Sequence, residues 1–123
     1  MRRQLLRELG AYIGRLHAAG FLHGDLRASN ILAHYSAGEF HFALIDNERN
    51  SQQREAGARG IVRNLMQLNM LTPDTISATD RMRFFTAWQR QLPTLTRLER
   101  KIMGIEAYRW AMRRLREKGK LSS

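Results

Sequence analysis

The sequence predicts an α+β fold, mainly helical, with one small β-hairpin. Three observations carry that expectation. Four stretches repeat apolar residues at helical spacing. One segment alternates apolar and polar residues around a Ser36-Ala37-Gly38-Glu39 turn. A polar loop lies between two apolar pairs, Phe21-Leu22 and Ile31-Leu32, which can hold it at both ends. With 123 residues the chain fits one small domain, 1–123, burying about two-thirds of its unfolded surface.

In chain order, Leu6, Leu9, Ile13 and Leu16 form the apolar stripe of a first helix, with Arg2, Arg3, Arg7 and Arg15 mostly off it. Gly20 should close the helix in the left-handed conformation, with Phe21 folding back onto the last turn. Ile31 to Tyr35 and Phe40 to Ile45 then read as two strands joined by a loop of about four residues. If Tyr35 pairs with Phe40, Asn30 falls opposite Ile45, one step from Asp46. Ile61, Val62, Leu65, Met66 and Leu68 mark a second, more apolar helix that begins at Ala58. Leu71-Thr72-Pro73-Asp74 breaks it. Ser77 or Thr79 caps a third helix through Met82, Phe85, Trp88 and Leu92, ending at Pro93. Leu95, Leu98, Ile102, Ile105, Tyr108, Met112 and Leu115 give a fourth stripe, with a bend expected at Gly104 and a frayed tail over 119–123.

The net charge is +10, and only Lys101, Lys118 and Lys120 of the 21 basic residues are lysine. Such an arginine bias suits bidentate contact with phosphate and carboxylate. Nucleic acid, an anionic membrane surface and a phosphorylated glycolipid all answer to it. The nucleic-acid reading has no recognition helix or stacking motif behind it. The basic face of the fourth helix is either solvated or laid on an anionic membrane. Without cysteine there is no disulfide and no thiolate metal site, in keeping with a reducing cytoplasm. Arg7 and Glu8 interrupt any signal-peptide core, and no run approaches the length of a membrane span.

The chemistry concentrates in His23-Gly24-Asp25-Leu26-Arg27-Ala28-Ser29-Asn30 and in Asp46. The hairpin brings the Asn30 amide oxygen and the Asp46 carboxylate together at its open end, and Asp25 reaches the neighbouring space. Two hard oxygen ligands beside a free carboxylate suit magnesium on substrate phosphates, and hence phosphoryl transfer.

This loop resembles the His-Arg-Asp-Leu-x-x-x-Asn catalytic loop of protein kinases, with Gly24 in place of the arginine, and Ile45-Asp46 resembles their metal-binding Asp-Phe-Gly element. The His-Gly-Asp-Leu-Arg form, followed by Leu44-Ile45-Asp46-Asn47-Glu48-Arg49, is most similar to the lipopolysaccharide kinases of Gram-negative bacteria. The resemblance implies the mainly helical lower lobe of a protein-kinase-like fold. It implies ATP and Mg2+ as cofactors and an inner-core sugar, Kdo or heptose, as acceptor. It places the protein in the cytoplasm at the inner face of the inner membrane. Asp25 would accept the acceptor hydroxyl's proton, Asn30 and Asp46 would hold magnesium, and Arg27 would neutralise charge on the transferring phosphate. The resemblance also implies that His23 packs inward to brace the loop and that Asn64 accepts backbone hydrogen bonds from it, less strongly than an aspartate would.

Other polar residues carry less. His17 reads as an ordinary polar residue on a helix flank, and His34 and His41 as a solvated or half-buried cross-strand pair. Arg49, Arg54 and Arg59 either form a pocket for an anionic acceptor or are solvated loop charges. No Gly-x-Gly-x-x-Gly occurs, and every lysine lies at or after Lys101. The expectation is therefore a lower lobe alone. Either the reading frame begins late, or the upper lobe is on a separate chain, or the ancestral activity is lost. In the last case the chain would bind or regulate a partner.

Overall fold

In the computed structural model, residues 1–46 and 48–121 are described; Asn47, in the motif after Asp46, and Ser122 and Ser123, in the expected tail, lie outside the described residues. The fold is α+β and mostly helical. Four α-helices, α1 (Arg2–Ala18), α2 (Ala58–Leu68), α3 (Ala78–Gln89) and α4 (Arg97–Glu117), accompany the short strands β1 (Phe21–Leu22), β2 (Ile31–Ser36), β3 (Glu39–Leu44) and β4 (Ser51–Gln52).

The hairpin register is the expected one. Tyr35 pairs with Phe40 and Ile31 with Leu44, and the Ile45 amide donates to the Asn30 carbonyl at 2.9 Å, which fixes Asn30 beside the strand that leads into Asp46. The connection is tighter than expected. Ser36 and Glu39 still pair, so only Ala37 and Gly38 form the loop, both at positive φ (54° and 82°). Two left-handed residues match the twist of the flanking strands, which is why the turn closes in two. A second sheet was not foreseen. β1 pairs antiparallel with β4, Phe21 with Gln52 and Leu22 with Ser51, and ties the segment after Asp46 back to the start of the polar loop. Two-residue strands carry too little alternation to be read from sequence.

Gly20 does close α1, at φ 87°, and Ser77 does cap α3, its Oγ accepting from the Asp80 amide at 3.1 Å. The buried line of α1 is shifted by one position from the apolar stripe. It consists of Gly10, Ile13, Gly14 and His17, while Leu9 and Leu16 pack at its flanks. The cause is the closeness of α3: a Cβ on Gly10 would lie 2.3 Å from the Phe84 carbonyl oxygen, and one on Gly14 2.7 Å from that of Trp88. At such a crossing the contact line must be glycine, and larger residues are displaced to either side. Asp80 anchors the far end of this pair, accepting from Arg2 of α1 and Arg83 of α3, each at 2.9 Å.

α2 supplies Ile61, Leu65 and Met66 to the core, and Trp88 of α3 is fully buried beside them. α4 runs as one helix through Gly104, whose missing side chain makes room for the Phe85 ring. Its buried face is Met103, Ala107, Ala111, Met112 and Leu115, whereas Leu98, Ile102, Ile105 and Tyr108 of the expected stripe are exposed. Alanines, counted as neutral in a hydropathy stripe, mark the true contact line. The helix ends in a Schellman closure. The Lys120 amide donates to the Leu115 carbonyl, Gly119 takes φ 70°, and Leu121 packs on the core.

Candidate active site

The polar loop is held from behind by side chains of α2. The Asn64 Oδ1 accepts from the His23 amide at 3.2 Å, and its Nδ2 donates to the His23 carbonyl at 2.8 Å. One turn on, the Gln67 Oε1 accepts from the Leu26 amide at 2.9 Å and from the Asn64 Nδ2 at 3.2 Å. Spacing of three residues puts both amides on one face of α2, so backbone groups on either side of Asp25 are fixed to the same helix. The amide at position 64 is more than a weakened acid: its donor hydrogen satisfies a carbonyl that a carboxylate would repel.

His17 is the largest departure from expectation. It is buried, and its Nδ1 accepts from the Trp88 indole N–H at 3.0 Å. Indole can only donate, so the ring proton must sit on Nε2, which then donates to the Asn64 Oδ1 at 3.1 Å. A relay thus runs from the core tryptophan through His17 and Asn64 to the loop. Nothing in the spacing of His17 distinguishes it from a surface histidine; only the close approach of α1 and α3 buries it. Burial lowers its pKa from 6.5 to about 4. The unfolded chain therefore takes up a proton below pH 6.5 that the folded chain refuses until about pH 4. Stability contributed by this site is full above the unfolded value and falls as pH drops between the two. Denaturant unfolding is expected to show a loss of about 2 kcal/mol between pH 7 and pH 5. The ring nitrogens should keep the neutral Nε2–H pattern by NMR at pH 5; a protonated His17 there would refute it.

His23 is braced the same way. Its Nδ1 accepts from the Asp25 amide at 2.9 Å, leaving Nε2 to donate to the Ile45 carbonyl, also at 2.9 Å. One ring thereby links the loop to the residue before Asp46. Gly24 lies where the following segment passes closest. Its amide donates to the Asn50 Oδ1 at 2.8 Å, and a Cβ on it would meet the Glu48 carbonyl oxygen at 2.3 Å. Gln67 and Asn50 went unnoticed in the sequence, since an amide among polar residues carries no distinctive signal.

Asp25, Arg27, Asp46 and Arg49 line one cleft. Arg27 grips the Asp25 carboxylate through Nε (2.9 and 3.1 Å) and Nη2 (2.7 Å), and this hydrogen-bonded guanidinium holds the Asp25 pKa below its ordinary value. Asn30 lies beneath, 9% exposed, its Nδ2 donating to the Asp25 carbonyl at 2.8 Å. Asp46 is exposed and left-handed at φ 58°. His23 and Asn64 stand behind the loop as support. Arg54 is exposed on a bend and does not line the cleft, whereas Arg59 does. His34 and His41 pair across the hairpin with both rings at its exposed surface.

Against known proteins, the model of the lipopolysaccharide kinase (Kdo/WaaP) family matches residues 1–88, the span that contains the whole loop, the hairpin and α2. The chain belongs to the lipopolysaccharide kinase family. Among solved structures it is similar to WaaP in complex with acyl carrier protein, with 24% identity and a TM-score of 0.73. That match covers 94% of this chain and 48% of the WaaP chain, so this chain spans about half the length of its structural relative. No curated protein matches it. The family's loop is here set between helices and a short hairpin. No helix among the described residues is long and apolar enough to cross a membrane.

Proposed function

We propose that this chain is the catalytic lower lobe of an ATP-dependent phosphotransferase that phosphorylates a sugar hydroxyl, Kdo or heptose, of the lipopolysaccharide inner core. The observation that carries the proposal is the joint placement of Asp25 and Asp46 on one cleft, with Asn30 bonded through its side chain to the Asp25 carbonyl and through its own carbonyl to the Ile45 amide. Asp25 takes the proton of the acceptor hydroxyl as its oxygen forms a bond to the γ-phosphorus and the bond to the ADP oxygen breaks. Arg27 first lies on Asp25 and keeps its basicity low. Moving onto the phosphate, it neutralises charge there and returns the carboxylate to its ordinary basicity, so proton acceptance is linked to substrate arrival.

The donor set fits magnesium. Among the described residues no group of three or more His, Cys, Asp or Glu could cage a metal. An Asp46 carboxylate with an Asn30 amide oxygen instead suits an ion that takes one or two carboxylates and completes its shell with phosphate and water. Bound there, magnesium would neutralise the β- and γ-phosphate oxygens. The phosphate-covering turn and strand lysine of a complete kinase would come from an upper lobe, in the same polypeptide or on a separate chain. The basic α4, with its exposed ridge of Leu98, Ile102, Ile105 and Tyr108, is the surface proposed to rest on the anionic inner face of the inner membrane.

Calorimetric titration with ATP tests the reading. Binding is expected to be weak, to require magnesium, and to drop at least about tenfold in Asp46→Ala, since even outer-shell partners of a metal are worth that much. ATP binding that is indifferent to magnesium and to Asp46→Ala would remove its basis.

A further inference from the structure

Away from the cleft, one face of α4 changes its chemistry along the helix axis. Leu98, Ile102, Ile105, Arg109, Arg113 and Arg116 follow one another at steps of three or four residues, so they share that face. All six are exposed, the first three apolar and the last three cationic. Glu106 and Glu117 stand within a turn of these arginines, yet none of the three forms an ion pair among the described residues. Beside them the surface sinks into a pocket of about 580 Å³, in the range of small-ligand sites, walled by Pro73 of the α2–α3 loop, Tyr108 and Met112 of α4, and Leu121. Its walls are fixed. The Arg81 guanidinium lies 5.2 Å from the centre of the Tyr108 ring while it donates to the Asn69 and Leu71 carbonyls, and Leu121 is packed on the core. No residue of this pocket lines the cleft of Asp25 and Asp46, to which α4 turns Trp110, Arg114 and Lys118.

We infer that this pocket binds the phosphate of one anionic phospholipid, whose apolar chains lie along the ridge from Ile105 to Leu98. The three guanidiniums offer paired N–H donors to the phosphate oxygens, and Tyr108, Met112 and Leu121 cover the first carbons beyond them. Seven residues of helix make the ridge about 10 Å long, which accommodates the upper part of an acyl chain. The segregation of charge along the axis selects this ligand. A nucleic acid repeats its phosphates along its whole length and would leave the ridge bare. An acidic helix would be matched by cations spread along α4, not gathered at one end. An amphiphile joins an anionic end to an apolar one, as this face requires. The site rests on the membrane contact of α4 proposed above, and adds to it one saturable headgroup position on a side of the helix that the cleft does not use.

The test titrates the full chain with monomeric dihexanoyl phosphatidylglycerol by calorimetry, with glycerol 3-phosphate and dihexanoyl phosphatidylcholine as partial probes. Phosphatidylglycerol is expected to bind saturably, glycerol 3-phosphate at least about tenfold more weakly, and phosphatidylcholine not measurably. Arg109→Gln/Arg113→Gln should weaken the lipid at least about tenfold. Ile102→Ser/Ile105→Ser should weaken the lipid and leave glycerol 3-phosphate unchanged. Arg3→Gln/Arg7→Gln removes the same charge from α1 and should leave lipid affinity unchanged. All six side chains are exposed, so each variant should keep the parent's circular dichroism. Equal losses in the α1 and α4 arginine variants would overturn the proposal. So would glycerol 3-phosphate bound as tightly as the lipid, the mark of a free-phosphate site, or displacement of the lipid by polyglutamate, the mark of an acidic protein partner. Sedimentation with phosphatidylglycerol vesicles reads the broader membrane contact. Vesicles that retain the parent while monomeric lipid finds no saturable site would sink the pocket and spare that contact; a chain that neither binds the lipid nor sediments with vesicles would sink both.

Discussion

Asp25→Ala is expected to lower phosphate transfer by about 10²- to 10⁴-fold, the range of a positioned general base, and to leave the fold and nucleotide affinity nearly unchanged. The structure separates these effects. The Asp25 amide is held by His23 and its carbonyl by Asn30, and both bonds persist when the side chain is cut to alanine. The carboxylate itself is bonded to Arg27, at an exposed position where such a pair contributes little to stability. Single-turnover transfer of labelled γ-phosphate to a lipopolysaccharide acceptor, by a protein that includes the upper lobe, is the measurement, with Tm as the control. Transfer at the parent's rate would rule out Asp25 as the base, and a large fall in Tm would mean that the side chain had a structural role.

The parts of this molecule that the sequence revealed are those where a local pattern decides the structure. The hairpin register follows from alternation on two adjacent segments, and the α3 cap from a hydroxyl residue, Ser77 or Thr79, ahead of the apolar stripe, of which Ser77 is the one that caps. Because the register was legible, so was the placement of Asn30 beside the strand that leads into Asp46. What escaped is set by the approach of elements distant in the chain. Gly10 and Gly14 let α3 come close enough to bury His17, and this proximity converts an apparently solvated histidine into a link between Trp88 and Asn64. Likewise the contact face of α4 runs along Ala107 and Ala111 together with Met103, Met112 and Leu115, leaving Ile102 and Ile105 outside. Small residues give a weak hydropathy signal, yet only they permit close helix packing.

Gly24→Ala is the second substitution with a large expected effect, and it runs against analogy, since protein kinases carry arginine at this point of the loop. Here a Cβ would lie 2.3 Å from the Glu48 carbonyl oxygen and 2.8 Å from the Arg49 Cβ. The first obstacle is backbone, not the far end of a flexible side chain, so the segment after Asp46 must move. It cannot move alone: Asn50 is bonded to the Gly24 amide, and just beyond it Ser51 is paired with Leu22. Relief therefore shifts Asp46 relative to Asp25, the two groups proposed above to set the transfer geometry. A displacement of about 1 Å is sufficient to reduce turnover about 10²-fold, and overpacking of this kind costs about 1–3 kcal/mol in stability. Gly24→Arg should be at least as damaging, because it begins with the same Cβ. Rates and Tm of both variants, measured beside the parent, check this. A Gly24→Arg protein with the parent's activity would mean that the segment after Asp46 yields freely, and that the close passage of Glu48 over Gly24 does not hold the two carboxylates in place.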